Sequence, residues 1–256
     1  MKTEEIFNID GKIALITGST GGLGSTFAKG LAENGCIVIL NGRNQKKLSL
    51  QVKQFNNFGY MVHGYPFDVT NREQVNKSIQ RVNDEVGEID ILVNNAGINL
   101  RAPLENFKDE DWDKIIGTNL TGAYTVSKAI VKSMIKRRSG KIINIGSMQC
   151  ELGRPTIAPY AASKGGIRML TRGMAVDWAK YNIQVNGIGP GYLKTDMTRA
   201  LYENPDFDTW LCDRTPSHRW GAPEELIGAL LFLSSSASNY VNGQMFYVDG
   251  GLLASV

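Results

Sequence analysis

Tyr160 and Lys164 stand four residues apart in the stretch SMQCELGRPTIAPYAASK, which runs from Ser147 to Lys164. On a helix that spacing puts both side chains on one face. The ammonium of Lys164 would then lie near the phenol and stabilise its anion. A free phenol has a pKa of about 10 and a nearby cation lowers it, which suits a group that exchanges protons near neutral pH. Ser147 follows KIINIG, an apolar run that reads as a buried strand. Its hydroxyl would sit at the strand's carboxyl end, where open α/β sheets bind ligands. The expected chemistry is proton transfer, with Ser147, Tyr160 and Lys164 as the working groups.

The rest of the chain must position them. KIALIT (residues 12–17) is predicted as a strand entering GSTGGLG, followed by a helix over residues 25–34 with Phe27, Ala28 and Leu31 on one face. Strand, glycine turn and helix aim backbone N–H groups at a diphosphate. Gly18, Gly22 and Gly24 are not spaced as G-x-G-x-x-G, and such clusters also make ordinary tight turns. The second strand, CIVILN (36–41), ends in Gly42 and Arg43 instead of an acidic residue. An acid there would bind the adenosine ribose, whereas an Arg accommodates a 2′-phosphate. Asn41 and Arg43 therefore favour NADP over NAD, the alternative being a solvated Arg in a turn. A helix over 45–57 and a third strand near 61–67 lead to Asp68 and Val69, which would cap the next helix or reach an adenine. After a helix over 72–86, the fourth strand DILVNN runs into Ala96 and Gly97, small residues that let a ligand approach the backbone. Asn94 and Asn95 would hydrogen-bond the dinucleotide or tie neighbouring turns together.

A long helix is predicted over 109–136 with Asn119 inside it; Asn is a poor helix former, so a buried partner or ordered water is expected there. The fifth strand delivers Ser147, and the helix carrying Tyr160 and Lys164 extends to about Tyr181. The sixth strand, IQVNGI, ends at GPGYLKT, and an insert of about 193–220 shows no strand. With Tyr202, Phe207, Trp210 and Trp220 it reads as a short helical lid over a substrate pocket, or as two surface helices covering core. A helix over 223–234 and the strand QMFYVDGG follow. This alternation predicts an α/β fold with a doubly wound parallel sheet, one domain spanning 1–256.

Composition narrows the function. The 256 residues are 42% hydrophobic and 21% charged, enough for a sizeable core, and a net charge of +3 with dispersed Lys and Arg argues against nucleic acid. Cys36, Cys150 and Cys212 are far apart and form no cluster with His63 and His218, so neither a metal site nor a disulfide framework is expected. The beginning, MKTEEIFNIDGK, is unlike a secretory signal, and no apolar run reaches the roughly 18 residues of a membrane span. The expectation is a cytoplasmic protein, without a membrane partner, whose thiols are reduced.

With these pieces located, the chain resembles the short-chain dehydrogenases/reductases over essentially its whole length. The matching motifs are TGSTGGLG (17–24), NNAG (94–97), Asn119, Ser147, YAASK (160–164) and PGYLKT (190–195). The resemblance implies a Rossmann fold and a catalytic set of Asn119, Ser147, Tyr160 and Lys164. Tyr160 would exchange the proton, Ser147 orient the substrate oxygen, Lys164 hold the nicotinamide ribose, and Asn119 keep a water in a relay to Lys164. Gly18, Gly22 and Gly24 would line the diphosphate, with Ser19, Thr20 and Leu23 of the same loop. Asp68 and Val69 would meet the adenine, Asn95, Ala96 and Gly97 the ribose region, and Thr195, with Pro190 and Gly191, the nicotinamide carboxamide. Family members are commonly homotetramers. The segments around 147–175, 183–198 and 210–235 look like the gluconate 5-dehydrogenase subgroup, implying NADP(H)-linked, reversible oxidation of D-gluconate to 5-keto-D-gluconate. A sugar acid brings a carboxylate, for which Arg101 and Arg154 are two-pronged partners, and Gln149 and Glu151 are candidates for its hydroxyls. The competing expectations are a reductase of another polyol, keto acid or carbonyl compound, and a non-catalytic dinucleotide sensor.

Overall fold

The computed structural model describes residues 2–255; the outermost expected domain bounds, Met1 and Val256, lie outside the described residues. A one-turn helix α1 (Thr3–Ile6) precedes seven strands: β1 (Ile13–Ile16), β2 (Ile37–Gly42), β3 (Val62–Pro66), β4 (Ile91–Asn94), β5 (Gly140–Ile145), β6 (Ile183–Pro190) and β7 (Met245–Val248). They form one parallel sheet in the order β3-β2-β1-β4-β5-β6-β7. Strands of such a sheet are covered on both faces and so read as continuous apolar runs. β6 is buried at all 8 positions.

One face is covered by α2 (Gly22–Glu33), α3 (Gln45–Asn57) and α10 (Ile227–Ser234), which contribute Phe27, Leu31, Phe55 and Leu230 to its core. The other face packs α4 (Arg72–Glu85), α6 (Gly122–Arg137) and α7 (Ala158–Trp178) through Ile79, Val126, Ile130 and Met174. The strand order reverses between β2 and β4, both of which flank β1. A crevice outside the carboxyl ends of the strands follows at such a point. The turns after β1, β4, β5 and β6 all open there.

The strands fall within a few residues of the sequence expectation, and three helical details differ. The helix expected over 109–136 is α5 (Asp109–Ile116) joined to α6 by a π-helical turn at Gly117–Thr121 that contains Asn119. The cap of α4 is Asn71, which accepts the N–H of Gln74 at 3.0 Å, and Asp68 is not the cap. Asp68 instead accepts the N–H and hydroxyl of Thr70 at 2.9 and 2.8 Å, closing a local turn. The helix expected from residue 223 begins as a 3-10 turn, Pro223–Leu226, before α10.

The insert folds into a 3-10 turn (Asp196–Thr198), α8 (Arg199–Tyr202) and α9 (Pro205–Arg214). It carries a small core of its own, Leu201, Leu211 and Trp220, joined to the sheet end by Met148 and Leu252. Tyr192 meets Phe207 and Trp220 edge-on at 5.7 and 5.6 Å. Trp210 is the exception among the four aromatic residues read from the insert, remaining 49% exposed. No helix of the described residues is long and apolar enough to cross a membrane.

Candidate active site

A cavity of about 390 Å³ opens at the carboxyl edge of the sheet, walled by the turns after β1, β2, β3, β4, β5 and β6 and by the insert. One end is the glycine turn. Gly18 has φ +64, and a Cβ there would stand 2.9 Å from Ala96 Cα; a Cβ on Gly24 would stand 2.4 Å from the Gly18 carbonyl oxygen. Only glycine fits either position. The cap of α2 is Gly21, which offers no side-chain acceptor to the helix's first N–H groups, and Gly21, Gly22 and Leu23 line the cavity. Those donors suit an anion.

Side chains around this turn hold it rather than face outward. Ser19 is fully buried and off the cavity wall; its hydroxyl donates to the Asn41 carbonyl and accepts the Asn41 N–H at 2.9 Å. Its hydroxyl therefore ties the turn to β2, where a ligand contact was expected. Asn41 reaches the wall, but its carboxamide accepts the Gly18 N–H at 3.2 Å and donates to the carbonyls of Tyr65 and Phe67 at 3.3 and 3.0 Å. Asn95 donates to the carbonyls of Thr17 and Gly18 at 2.9 and 3.1 Å, so of its two expected uses the structure shows the turn-tying one. Thr20, Arg43, Asp68, Val69, Ala96 and Gly97 complete this part of the wall. The Arg43 side chain is 73% exposed, with Asp68 Oδ2 at 3.8 Å.

The other end gathers the proton-transfer candidates. Ser147 is 8% exposed at the end of β5, and its Oγ accepts the Gln149 N–H at 3.1 Å. Tyr160 and Lys164 line the same cavity from α7. The phenol is pushed up to about 12, chiefly by burial, with the Ser147 hydroxyl pulling the other way. Burial also brings Lys164 down to about 8. Its Nζ donates to the Ile145 carbonyl at 2.7 Å and lies 5.6 Å from the centre of the Tyr160 ring. Desolvation thus outweighs the lowering expected from Lys164, a cation that is itself desolvated and bonded to a backbone oxygen.

Asn119 stands behind this end, not on the wall. Its Oδ1 accepts the Ile98 N–H at 2.8 Å, and its Nδ2 donates to the Ile98 carbonyl at 2.9 Å and Ser163 Oγ at 3.0 Å. The loop after β4 is thereby pinned to α7, and the π-helical turn, common at functional sites, presents the carboxamide for it. Pro190, Gly191 and Thr195 line the cavity after β6, and Thr195 Oγ1 lies 3.1 Å from Thr198 Oγ1.

Arg101, Gln149 and Arg154 line the cavity beyond Tyr160, and Glu151 does not. The Glu151 carboxylate accepts from Tyr247 at 2.6 Å and pairs with Arg168 at 2.9 Å, so its expected substrate contact is corrected to a tie between the Ser147 loop, α7 and β7. The Ala102 N–H donates to the Thr156 carbonyl at 3.2 Å, drawing the Arg101 and Arg154 loops together. Burial first, and the Arg154 charge second, hold Arg101 below its usual pKa. Neither guanidinium joins an ion pair among the described residues. Arg154 donates to the Tyr192 hydroxyl at 3.2 Å and stacks 4.5 Å from the centre of the Phe207 ring. Asn99 and Tyr192 also line this end and are not among the residues expected from the sequence; Tyr192 lies within PGYLKT and Asn99 two residues beyond NNAG, which is the signal that points to them. Among the described residues no group of three or more His, Cys, Asp and Glu could hold a metal ion.

The family model for the short chain dehydrogenases matches residues 12–206. The chain is 48% identical to the 5-keto-D-gluconate 5-reductase of Escherichia coli strain K12, over 98% of this chain and 99% of that protein. It is 47% identical to the gluconate 5-dehydrogenase of Gluconobacter oxydans strain 621H, with 100% of both chains covered. Among solved structures, a gluconate 5-dehydrogenase from Burkholderia cenocepacia J2315 in complex with NADP and tartrate matches with a TM-score of 0.97 and 50% identity over 100% of both chains. The glycine turn, the half-buried tyrosine and buried lysine of one helix, and these full-length likenesses agree: the chain belongs to the short chain dehydrogenase family.

Proposed function

We propose that this chain transfers a hydride between NADP(H) and a sugar acid, oxidising D-gluconate at C5 to 5-keto-D-gluconate and reducing it back. The observation that carries the reading is that two guanidinium groups without carboxylate partners, Arg101 and Arg154, share one cavity with Ser147 and Tyr160. A carboxylate held there leaves the far end of the molecule within reach of a proton donor. The full-length likeness to a 5-keto-D-gluconate 5-reductase and to a gluconate 5-dehydrogenase supports the same substrate.

The glycine turn fits a dinucleotide, because a Cβ at Gly18 or Gly24 would fill it and the start of α2 leaves its donors free. Gly22, Leu23 and Gly24 would hold the diphosphate, Asp68 and Val69 the adenine end, Arg43 a 2′-phosphate, Lys164 the ribose, and Pro190, Gly191 and Thr195 the carboxamide. When bound, the dinucleotide supplies or accepts the hydride. The protein's own part is positioning and proton transfer. A phenol near 12 is protonated at neutral pH, so Tyr160 donates to a substrate carbonyl oxygen in the reductive direction. Ser147 orients that oxygen, and Lys164 is placed to stabilise the phenolate as it forms. Asn119 fixes the Ile98 backbone and α7 relative to one another, which preserves the distance between these groups.

The insert over 193–220 acts as the substrate lid of one domain spanning the chain. The exposed Trp112, Tyr124 and Val176, on α5, α6 and α7, support assembly as a homotetramer through those helices. The reaction is assigned to the cytoplasm. The test is consumption of NADPH and of NADH with 5-keto-D-gluconate, 2-keto-D-gluconate, fructose and an aryl ketone. Turnover of 5-keto-D-gluconate with NADPH preferred is the expected result. Turnover confined to the other compounds would assign a different polyol, keto acid or carbonyl substrate, and no turnover with any would favour a dinucleotide sensor.

A further inference from the structure

We infer that Asn99 and Gln149 read the hydroxyl groups of the substrate and make the site reject chains that lack them; this rests on the sugar-acid reading above. Gln149 is only 7% exposed, yet its carboxamide oxygen has no hydrogen-bond partner, and the Asn99 carboxamide oxygen is likewise buried and unpaired. Both residues line the cavity that holds Ser147, Tyr160 and the two arginines. Of the other buried carboxamides nearby, Asn41, Asn119 and Asn144 bind the protein's own groups through both oxygen and nitrogen, while Asn94, off the cavity wall, donates to Ser127 and Asn144 and leaves its oxygen unpaired.

The main chain carrying the two amides is tied to the same site. The Gln149 N–H is tied to Ser147 Oγ at 3.1 Å. Asn99 follows Ile98, whose N–H and carbonyl are both bound by Asn119. A carboxamide offers an acceptor and two donors together. A hydroxyl also does both, whereas a carboxylate only accepts, so carboxamides whose oxygens the protein leaves unpaired, in one cavity with two arginines and a proton donor, match a polyhydroxylated chain. A buried polar group left without a partner is penalised more heavily than a missing apolar contact. Sites built to bond a hydroxyl therefore discriminate against its absence far more strongly than pockets discriminate against a missing methylene.

The experiment compares NADPH-dependent reduction of 5-keto-D-gluconate with that of 5-oxohexanoate, the same carbon chain and ketone without hydroxyls. The wild-type protein is expected to prefer the sugar acid by at least ~10³ in kcat/KM. Gln149→Met and Asn99→Leu are each expected to lower kcat/KM for 5-keto-D-gluconate roughly 10- to 100-fold and leave that for 5-oxohexanoate unchanged or higher. NADPH affinity by fluorescence identifies folded variants; a variant that fails this check is replaced by Gln149→Leu or Asn99→Ala. Equal loss on both substrates would mark a structural role, and an intact preference in both variants would mark no role; either overturns the inference alone. Failure of the wild-type protein to reduce 5-keto-D-gluconate overturns the sugar-acid reading and the inference with it.

Discussion

Asn41 and Gln149 are both buried carboxamides on the wall of one cavity, and they are used in opposite ways. Around the glycine turn, Ser19, Asn41 and Asn95 spend their hydrogen bonds on the protein's own backbone. The turn itself presents main chain to the cavity at Gly18 and Gly24, where a Cβ would collide with Ala96 or the Gly18 carbonyl. Around Tyr160, the wall is made of side chains, and several of them, Arg101, Asn99 and Gln149, keep polar atoms unpaired by the protein. A surface of backbone amides suits a ligand part that is the same in every turnover. A surface of side chains can be changed one residue at a time without unfolding the turn beneath it.

The largest effect tests the side-chain end. Tyr160→Phe should lower kcat roughly 10²- to 10⁴-fold, the usual span for losing a proton donor, while NADPH binding measured by fluorescence changes little. A matched pair then addresses the contrast itself. Arg101→Ala should lower kcat/KM for the sugar acid roughly 10- to 100-fold through KM, because a hydrogen bond to a charge is worth about 1.5–3 kcal/mol, with no change in melting temperature. Asn41→Ala should instead cost about 1–3 kcal/mol of stability, since it orphans buried backbone groups. Melting curves of the two variants decide: equal destabilisation would dissolve the distinction between the two ends.

Arg43→Ala should weaken NADPH about tenfold and NADH hardly at all, because only the former carries the 2′-phosphate. With the Asn41 carboxamide already occupied, the proposed preference for NADPH rests on Arg43. Equal losses for both cofactors in equilibrium titrations would remove it. The last prediction concerns pH. Lys164 titrates near 8 when folded and near 10.5 when exposed, so between those values the unfolded chain binds more protons and stability rises with pH. The raised phenol of Tyr160 acts oppositely above about 10. Relative to Lys164→Met, the wild-type protein should therefore gain stability from pH 8 to 10 in calorimetric melts; a constant difference would mean that Lys164 is not titrating in that window.

The strands were legible because a parallel sheet covered on both faces requires unbroken apolar runs such as KIINIG and IQVNGI. The glycine turn was legible for a different reason: conformations with positive φ and close backbone contacts leave glycine in the sequence. Glu151 shows where such reading ends. It lies close to Ser147 in the chain, but the 3-10 turn Met148–Cys150 sends its carboxylate to Arg168 and Tyr247. Ser19 is a similar case, since adjacency does not say which way a side chain points.

By itself, the order of apolar runs, glycines and the Ser147, Tyr160 and Lys164 set determined the α/β class, the strand end that carries Ser147 and the kind of chemistry, because these depend on local periodicity and residue type. The tertiary structure alone decided how far each group is desolvated and which partner it meets. Burial raises Tyr160 to about 12 and turns Lys164 toward Ile145, and it leaves Gln149 unpaired while satisfying Asn41. Those are sums over neighbours brought together from distant parts of the chain, and no spacing along the sequence encodes them.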